Sequence, residues 1–287
     1  MEDFQYDVAF SRNIGWTTQD EQQALRKARI AIAGMGGVGG SHLLTLTRLG
    51  IGNFNIADFD EYGIENTNRQ VGAKTSTYGQ KKAATMAAMA LDINPELNIQ
   101  SFDDGLNRDN IERFFSKIDI YIDGLDFFAF DARELAFNYC HKHDIPAITA
   151  APLGTGAATL IFMPGGTSFE EYFGFKNQPE LEKTLRFFVG LAPSLAHTSY
   201  LVDPSSVDFK ARKGPSTVMG CEICASVTAT QALKILTGRG RILAAPHGIQ
   251  YDPFLNQIKH TWRPGGYRNP ITRFVMNKVK QAFLSNA

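Results

Sequence analysis

Short apolar runs alternate with segments of helical spacing through the first half of the chain. The runs at 30–33, 53–57, 99–102, 119–123 and 147–149 are strand-length, and several abut Gly, Asp or Pro. Between them, 41–49, 80–92, 108–116 and 130–143 carry apolar residues at the three-and-four spacing of a helix with one buried face. Strand and helix in strict alternation predict an α/β, Rossmann-like fold with a mainly parallel sheet and helices on both faces. Later runs at 159–162, 248–251 and 258–262 continue it as antiparallel strands. Residues 221–236 follow helical spacing through Ile223, Val227, Ala232 and Leu233 and stop at Gly238. A last helix, about 272–284, sets Phe274, Val275, Val279 and Phe283 on one face and Arg273, Lys278 and Lys280 elsewhere. That pattern predicts a docking helix, with a basic membrane-surface helix as the alternative. There are no repeats and no low-complexity linker, so residues 1–287 are expected to form one domain. Its nucleotide-binding half spans about 28–150 and a connecting segment about 165–216.

Composition narrows the setting more than the chemistry. A chain of 287 residues, 44% hydrophobic, can bury a full core. A formal net charge of +0 argues against tight nonspecific nucleic-acid binding. Three cysteines fit a reducing compartment, and the start Met1-Glu2-Asp3-Phe4 is acidic rather than signal-like. No apolar stretch approaches the length of a membrane span. A cytoplasmic protein with no membrane partner is expected.

The chemistry concentrates in three consecutive pieces. The strand at 30–33 runs into Gly34-Met35-Gly36-Gly37-Val38-Gly39-Gly40 and then a helix. That order puts backbone N–H groups and a helix N-terminus where a phosphate chain can sit. Asp58 ends the next strand, roughly 20 residues past the loop, where a ribose needs an acceptor. Just beyond lies Asn66-Thr67-Asn68-Arg69-Gln70. An arginine there is not required for a dinucleotide, and suggests that charge develops at the phosphates, with the nucleotide as a reactant. The alternative is that the glycines only allow a helix to pack on the sheet.

Five separate segments together resemble the ThiF/MoeB/E1 superfamily, which activates a carboxylate by adenylation with ATP. They are Gly34-x-Gly36-Gly37-x-Gly39, Asp58-x-Asp60, Asn66-x-Asn68-Arg69-Gln70, Lys82 within Gly79-Gln80-Lys81-Lys82-Ala83, and Asp123-x-x-Asp126. The resemblance runs from about Phe10 to Gly238. It implies that Gly36, Gly37 and Gly39 cradle the phosphates, that Asp58 binds the ribose, and that Asn66 and Arg69 hold the β- and γ-phosphates. Lys82 would place a charge near the α-phosphate and Asp126 would help hold Mg²⁺. Arg12 resembles an arginine that this family reaches across a dimer into the partner's site, so a homodimer is implied. Read as residues alone, Lys82 is open to a one-residue shift to Lys81, Asp126 could be a turn residue before Phe127, and Asp60 a cap.

The resemblance implies attack of a substrate carboxylate on the α-phosphorus, with pyrophosphate leaving and an acyl-adenylate formed. The expected substrate is the C-terminus of a small carrier protein or peptide. A tRNA-modifying, adenylating dehydratase of the same superfamily is the variant: Asn66-Thr67-Asn68-Arg69-Gln70 and a connecting segment without cysteine suit it, and the zero net charge and missing basic stripe count mildly against it. Relatives with structural zinc carry two Cys-x-x-Cys pairs. Here only Cys140, Cys221 and Cys224 occur, and a four-cysteine zinc site is excluded within one chain. The connecting segment contains no cysteine, so adenylation without an obligatory enzyme thioester is expected. That segment is dense in aromatics, from Phe169 to Phe188, and is broken by Pro164, Gly165, Gly166, Pro193 and Pro204. It would set substrate specificity or pack a dimer interface. Two further functions stay open: an NAD-dependent oxidoreductase, and a noncatalytic partner, which Phe127 favours by standing where many relatives have asparagine.

Overall fold

The structure is a computed structural model that describes residues 3–209 and 211–285, with side chains as far as Gln281. Two helices open it, α1 (Tyr6–Ala9) and α2 (Gln19–Lys27). α2 is set by a capping box: the Thr18 hydroxyl accepts from the Glu21 N–H, and the Glu21 carboxylate accepts from the Thr18 N–H. Then β1 (Arg29–Ala33), α3 (Gly37–Leu49), β2 (Asn53–Ala57), α4 (Lys82–Ile93), β3 (Asn98–Phe102), α5 (Ile111–Phe114), β4 (Ile120–Asp123), α6 (Phe130–Lys142) and β5 (Ala147–Leu153) alternate. The second half contains β6 (Gly156–Phe162), α7 (Phe169–Phe173), α8 (Glu180–Leu191), α9 (Val218–Thr237), β7 (His247–Asp252), β8 (Gln257–Trp262) and α10 (Pro270–Ser285).

One eight-stranded sheet results, in the order β3-β2-β1-β4-β5-β6-β7-β8. β3 through β5 run parallel, and β5 to β8 are antiparallel. The expected fold class is therefore observed. β1 shows why both faces are covered: Ile30 and Ile32 point into one apolar cluster with Leu43, Phe54, Met86 and Ile122, while Ala31 and Ala33 face a second with Phe114, Tyr121 and Phe137. A parallel strand buried on both faces reads as a continuous apolar run for this reason. Burying each large side chain of these clusters contributes about 1.5–3 kcal/mol. The register sets Ala33 beside both Ala57 and Asp123. The carboxyl ends of β1, β2 and β4 are thus level, and the loops after them meet in one crevice where strand order reverses.

Several expected elements shift. α3 begins at Gly37 rather than Ser41 because the glycines themselves form its first turn. α4 starts at Lys82, two residues late, and the helix expected over 108–116 shortens to four residues. The strand expected over 147–149 extends to Leu153 and folds straight back as β6. The connecting segment is not a string of short pieces, since Pro179 caps the 12-residue α8. Its aromatics Phe169, Tyr172, Phe173, Phe175 and Phe187 are buried in the core with Phe137 and Phe162. α10 docks on α8 through Met276 and Val279 against Leu185 and Val189, whereas Phe274 is 60% exposed and turns away. The Phe283 side chain lies outside the described residues. Among the described residues no helix is long and apolar enough to cross a membrane.

Candidate nucleotide-binding site

The glycine loop joins β1 to α3, and its glycines differ in what they make room for. Gly34 has φ +89°, and a Cβ there would overlap the Gly124 carbonyl of the loop after β4. A Cβ on Gly39 would overlap the Gly34 carbonyl, so Gly39 lets the helix close onto its own loop. For this position the packing alternative holds, although its N–H remains among the free donors of the first turn. A Cβ on Gly37 would come within 2.9 Å of Cys221 Sγ, and one on Gly36 would meet only Gln70, at 3.6 Å. Gly36 and Gly37 are also partly exposed. Of the two, Gly36 is the one whose missing side chain leaves space beside the backbone.

Asp58 is fixed beside this loop. Its Oδ2 accepts from the Met35 N–H at 2.6 Å and its Oδ1 from the Asp60 N–H at 2.8 Å. Burial raises its carboxyl above the ordinary range, opposed by those two hydrogen bonds and by the Lys82 charge. Each oxygen retains a lone pair for a ribose hydroxyl. Lys82, buried at the first position of α4, reaches Asp60 Oδ2 at 3.1 Å. Lys81 points the other way, to Glu61 and the Phe59 carbonyl. The structure separates the two lysines, and it is Lys82 that faces Asp58 and Asp60. Asp60, left open as a cap, holds both the Lys82 ammonium and its N–H.

The segment after Asp58 folds back over the loop. Asn66 is buried and its Oδ1 accepts from the Gly63 N–H, which leaves Nδ2 as the atom able to meet a phosphate. Arg69 lies along Gly37, its Cγ 3.5 Å from a Cβ placed there, and its guanidinium donates to the Glu65 carbonyl and to Asn68 Oδ1. No carboxylate pairs with it among these contacts, so its charge is available to an anion. Asn68 in turn donates to the Ser216 carbonyl, and Ser41 Oγ donates to Glu222, tying the N-terminal end of α9 to the site. Gln70 and Glu222 join the site without having been among the residues expected there. Gln70 was detectable as the neighbour of Arg69; nothing in the sequence marks Glu222 as a partner of Ser41, which is 181 residues away.

The remaining candidates divide. Asp126 is exposed after β4, with Oδ1 accepting from the Phe128 N–H, so its turn role is real and its other oxygen remains open. Asp123 is different: it is buried, pairs with Arg133 at 2.7 Å and accepts from Thr149. Phe127 packs on Phe187 and Phe209, pinning the connecting segment beside Asp126. Arg12 is exposed and not near the glycine loop of its own chain. Its neighbour Asn13 bonds the Leu49 carbonyl at the far end of α3, about 18 Å of helix from Gly37. Cys140, Cys221 and Cys224 are all buried, and burial pushes each thiol up, away from the reactive thiolate. Among the described residues no group of three or more His, Cys, Asp or Glu side chains is arranged to hold a metal.

The chain is 34% identical over 142 residues to the tRNA threonylcarbamoyladenosine dehydratase of Bacillus subtilis (strain 168), a match covering 49% of this chain and 55% of that one. It is 25% identical over 223 residues to the SAMP-activating enzyme E1 of Haloferax volcanii, covering 77% and 72%. The chain spans about half the length of the dehydratases it matches. Among solved structures, E. coli MccB with ATP superposes with a TM-score of 0.65 at 21% identity, covering 88% of this chain and 70% of that one. E. coli tRNA N6-threonylcarbamoyladenosine dehydratase gives 0.59 at 22%, covering 81% and 95%. At these identities the likeness is one of fold. Residues 10–270 match the ThiF family profile, and the chain belongs to the ThiF family.

Proposed function

We propose that this protein is an ATP-dependent adenylyltransferase that converts a substrate carboxylate into an acyl-adenylate and releases pyrophosphate. The observation that carries the reading is that Asp58, bonded to the Met35 N–H of the glycine loop with the Lys82 charge beside it, and Arg69, lying along Gly37, gather at the carboxyl ends of β1 and β2. ATP would lie with its ribose on Asp58 and its phosphates over the free N–H groups of α3. Arg69 would hold the outer phosphates with its planar fork, and Asn66 Nδ2 would add a donor. Lys82, released from Asp60 or shared with it, would stabilise charge as the α-phosphorus is attacked. Asp126 offers one open, exposed oxygen, the hard donor that Mg²⁺ takes beside phosphates. When bound there, Mg²⁺ would neutralise charge on the leaving pyrophosphate. The chain supplies positioning and charge rather than a covalent nucleophile, in keeping with three buried, protonated cysteines.

For the carboxylate we favour the C-terminus of a peptide or small carrier protein. The chain has no net positive charge to attract RNA, and the SAMP-activating enzyme E1 aligns over 77% of it. The second reading is a carboxylate on a tRNA nucleoside, favoured by the names of three relatives that are 33–35% identical over about half the chain. A homodimer with Arg12 reaching the partner's site, in the cytoplasm, completes the proposal. ATP–pyrophosphate exchange with Mg²⁺, run against carrier proteins ending in Gly-Gly, short peptides and bulk tRNA, separates these readings. Exchange with carriers or peptides is expected, and Arg69→Ala should lower it ~100-fold or more without unfolding the protein. Exchange with tRNA alone would select the second reading. Undiminished exchange by Arg69→Ala would remove the role given to that residue.

A further inference from the structure

Arg133, in the first turn of α6, is only 2% exposed. Burying a guanidinium is unfavourable unless its charge and its N–H groups are matched, so its partners show what it is for. Nε donates to Asp123 Oδ2 at 2.7 Å. The other two nitrogens turn to backbone. Nη1 donates to the Phe127 carbonyl at 3.1 Å, and Nη2 to the Leu125 and Asp126 carbonyls, both at 2.9 Å. Three consecutive carbonyls of the loop after β4 thus converge on one side chain. The guanidinium is itself held: the Phe187 ring of α8 lies 4.4 Å from its Cζ and also packs on Phe127. Asp123 is fixed in turn by the Thr149 hydroxyl and accepts from the Leu125 N–H. Asp126 is the middle residue of this loop. Arg133 draws its carbonyl inward, while its side chain stays exposed with Oδ1 on the Phe128 N–H. The same loop abuts the glycine loop, where the Gly124 N–H donates to the Ala33 carbonyl and the Gly124 carbonyl fills the space beside Gly34.

We infer that Arg133 is the positioning residue for the metal ion: it fixes the Asp126 backbone so that the open carboxylate oxygen is presented to Mg²⁺. This ion is commonly bound by one or two carboxylates together with substrate phosphates. The direction of this one oxygen then decides whether the ion is shared between protein and nucleotide. Arginine suits the task because its planar fork holds the carboxylate of Asp123 and the three carbonyls at once. Lysine would keep the charge beside Asp123 but, as a single point donor, would release the carbonyls. The inference rests on the ATP reading above and adds to it a residue that touches neither the nucleotide nor the ion.

The test is calorimetric titration of ATP, with Mg²⁺ and with EDTA, into the wild type, Arg133→Lys, Asp126→Asn and the double variant, alongside their melting temperatures. Mg²⁺ is expected to tighten ATP binding by the wild type. Arg133→Lys should lose about tenfold of that gain, as when the support of a metal ligand is removed. Its affinity in EDTA should stay unchanged. Asp126→Asn should lose as much, and the double variant no more than either, because one residue acts through the other. A wild-type response to Mg²⁺ in folded Arg133→Lys would overturn the inference. So would equal losses of affinity with and without Mg²⁺, which would mark a purely structural arginine. Should Arg133→Lys not fold, Asp123→Asn combined with Arg133→Gln strands no buried charge and carries the same comparison. Wild-type ATP binding that ignores Mg²⁺ would remove the metal role of Asp126 and this inference with it. No ATP binding at all would remove the nucleotide reading and the inference together.

Discussion

His42, one turn into α3, shows how a single residue can set acid stability. It is fully buried, neither ring nitrogen has a partner, and burial lowers its pKa from 6.5 to about 3. The unfolded chain takes up the proton near pH 6.5, whereas the native chain resists it down to about pH 3. Between those values the unfolded state binds more protons, so stability falls as the pH falls. From pH 6.5 to 4.5 this one group removes about 2–3 kcal/mol. His42→Leu should therefore flatten the pH dependence measured by urea unfolding at pH 7 and pH 5. It should also match or exceed wild-type stability at pH 7, since two unpaired nitrogens disappear. An unchanged difference between the two pH values would show that His42 is not the group responsible. At this scale the sequence was only partly readable. Asp58, Arg69 and Lys82 announced themselves by charge and spacing, while a buried histidine looks like any other in sequence.

The junction of β1, its loop and α3 is the element that makes the site, and its glycines separate folding from binding. Gly39→Ala places a methyl group into the Gly34 carbonyl oxygen, a backbone atom that cannot give way. Gly36→Ala meets only the Gln70 amide, at ordinary contact distance. Thermal melting should show Gly39→Ala destabilised by about 3 kcal/mol or more. Gly36→Ala should be destabilised less than Gly39→Ala and lose ATP affinity, since its methyl group occupies the ligand's space. Equal ATP affinity in Gly36→Ala would mean the phosphates lie elsewhere. The loop was legible because strand, glycines and helix are contiguous in sequence. α2 was legible in principle, through the Thr18–Glu21 capping box, but its polar sequence hid it from an apolar pattern. α8 lies within a segment that Pro164, Gly165, Gly166, Pro193 and Pro204 marked as broken, yet it runs 12 residues from Pro179 at its N-cap without meeting one of them. In α10 the docked face holds Val275 and Val279 as expected, with Met276 beside them in place of the exposed Phe274.

At the scale of the molecule, the parallel half follows from local pattern alone, because each strand and its covering helix are neighbours in sequence. The placement of α9 and of the loop before it depends on contacts across 100 residues or more, Ser41 with Glu222 and Asn68 with Ser216. No local period encodes those, nor the burial of the aromatics around Phe169 and Phe187 in the core. The central claim is that the carboxyl ends of β1, β2 and β4 assemble one ATP site, with Asp58 locked to the glycine loop through Met35. Calorimetric titration of Mg·ATP into the wild type and Asp58→Ala tests it most directly. We expect saturable binding by the wild type and affinity lowered at least tenfold in a folded Asp58→Ala protein, from the loss of charged hydrogen bonds to the ribose. Equal affinity in the two proteins, or no binding by the wild type, would contradict the account.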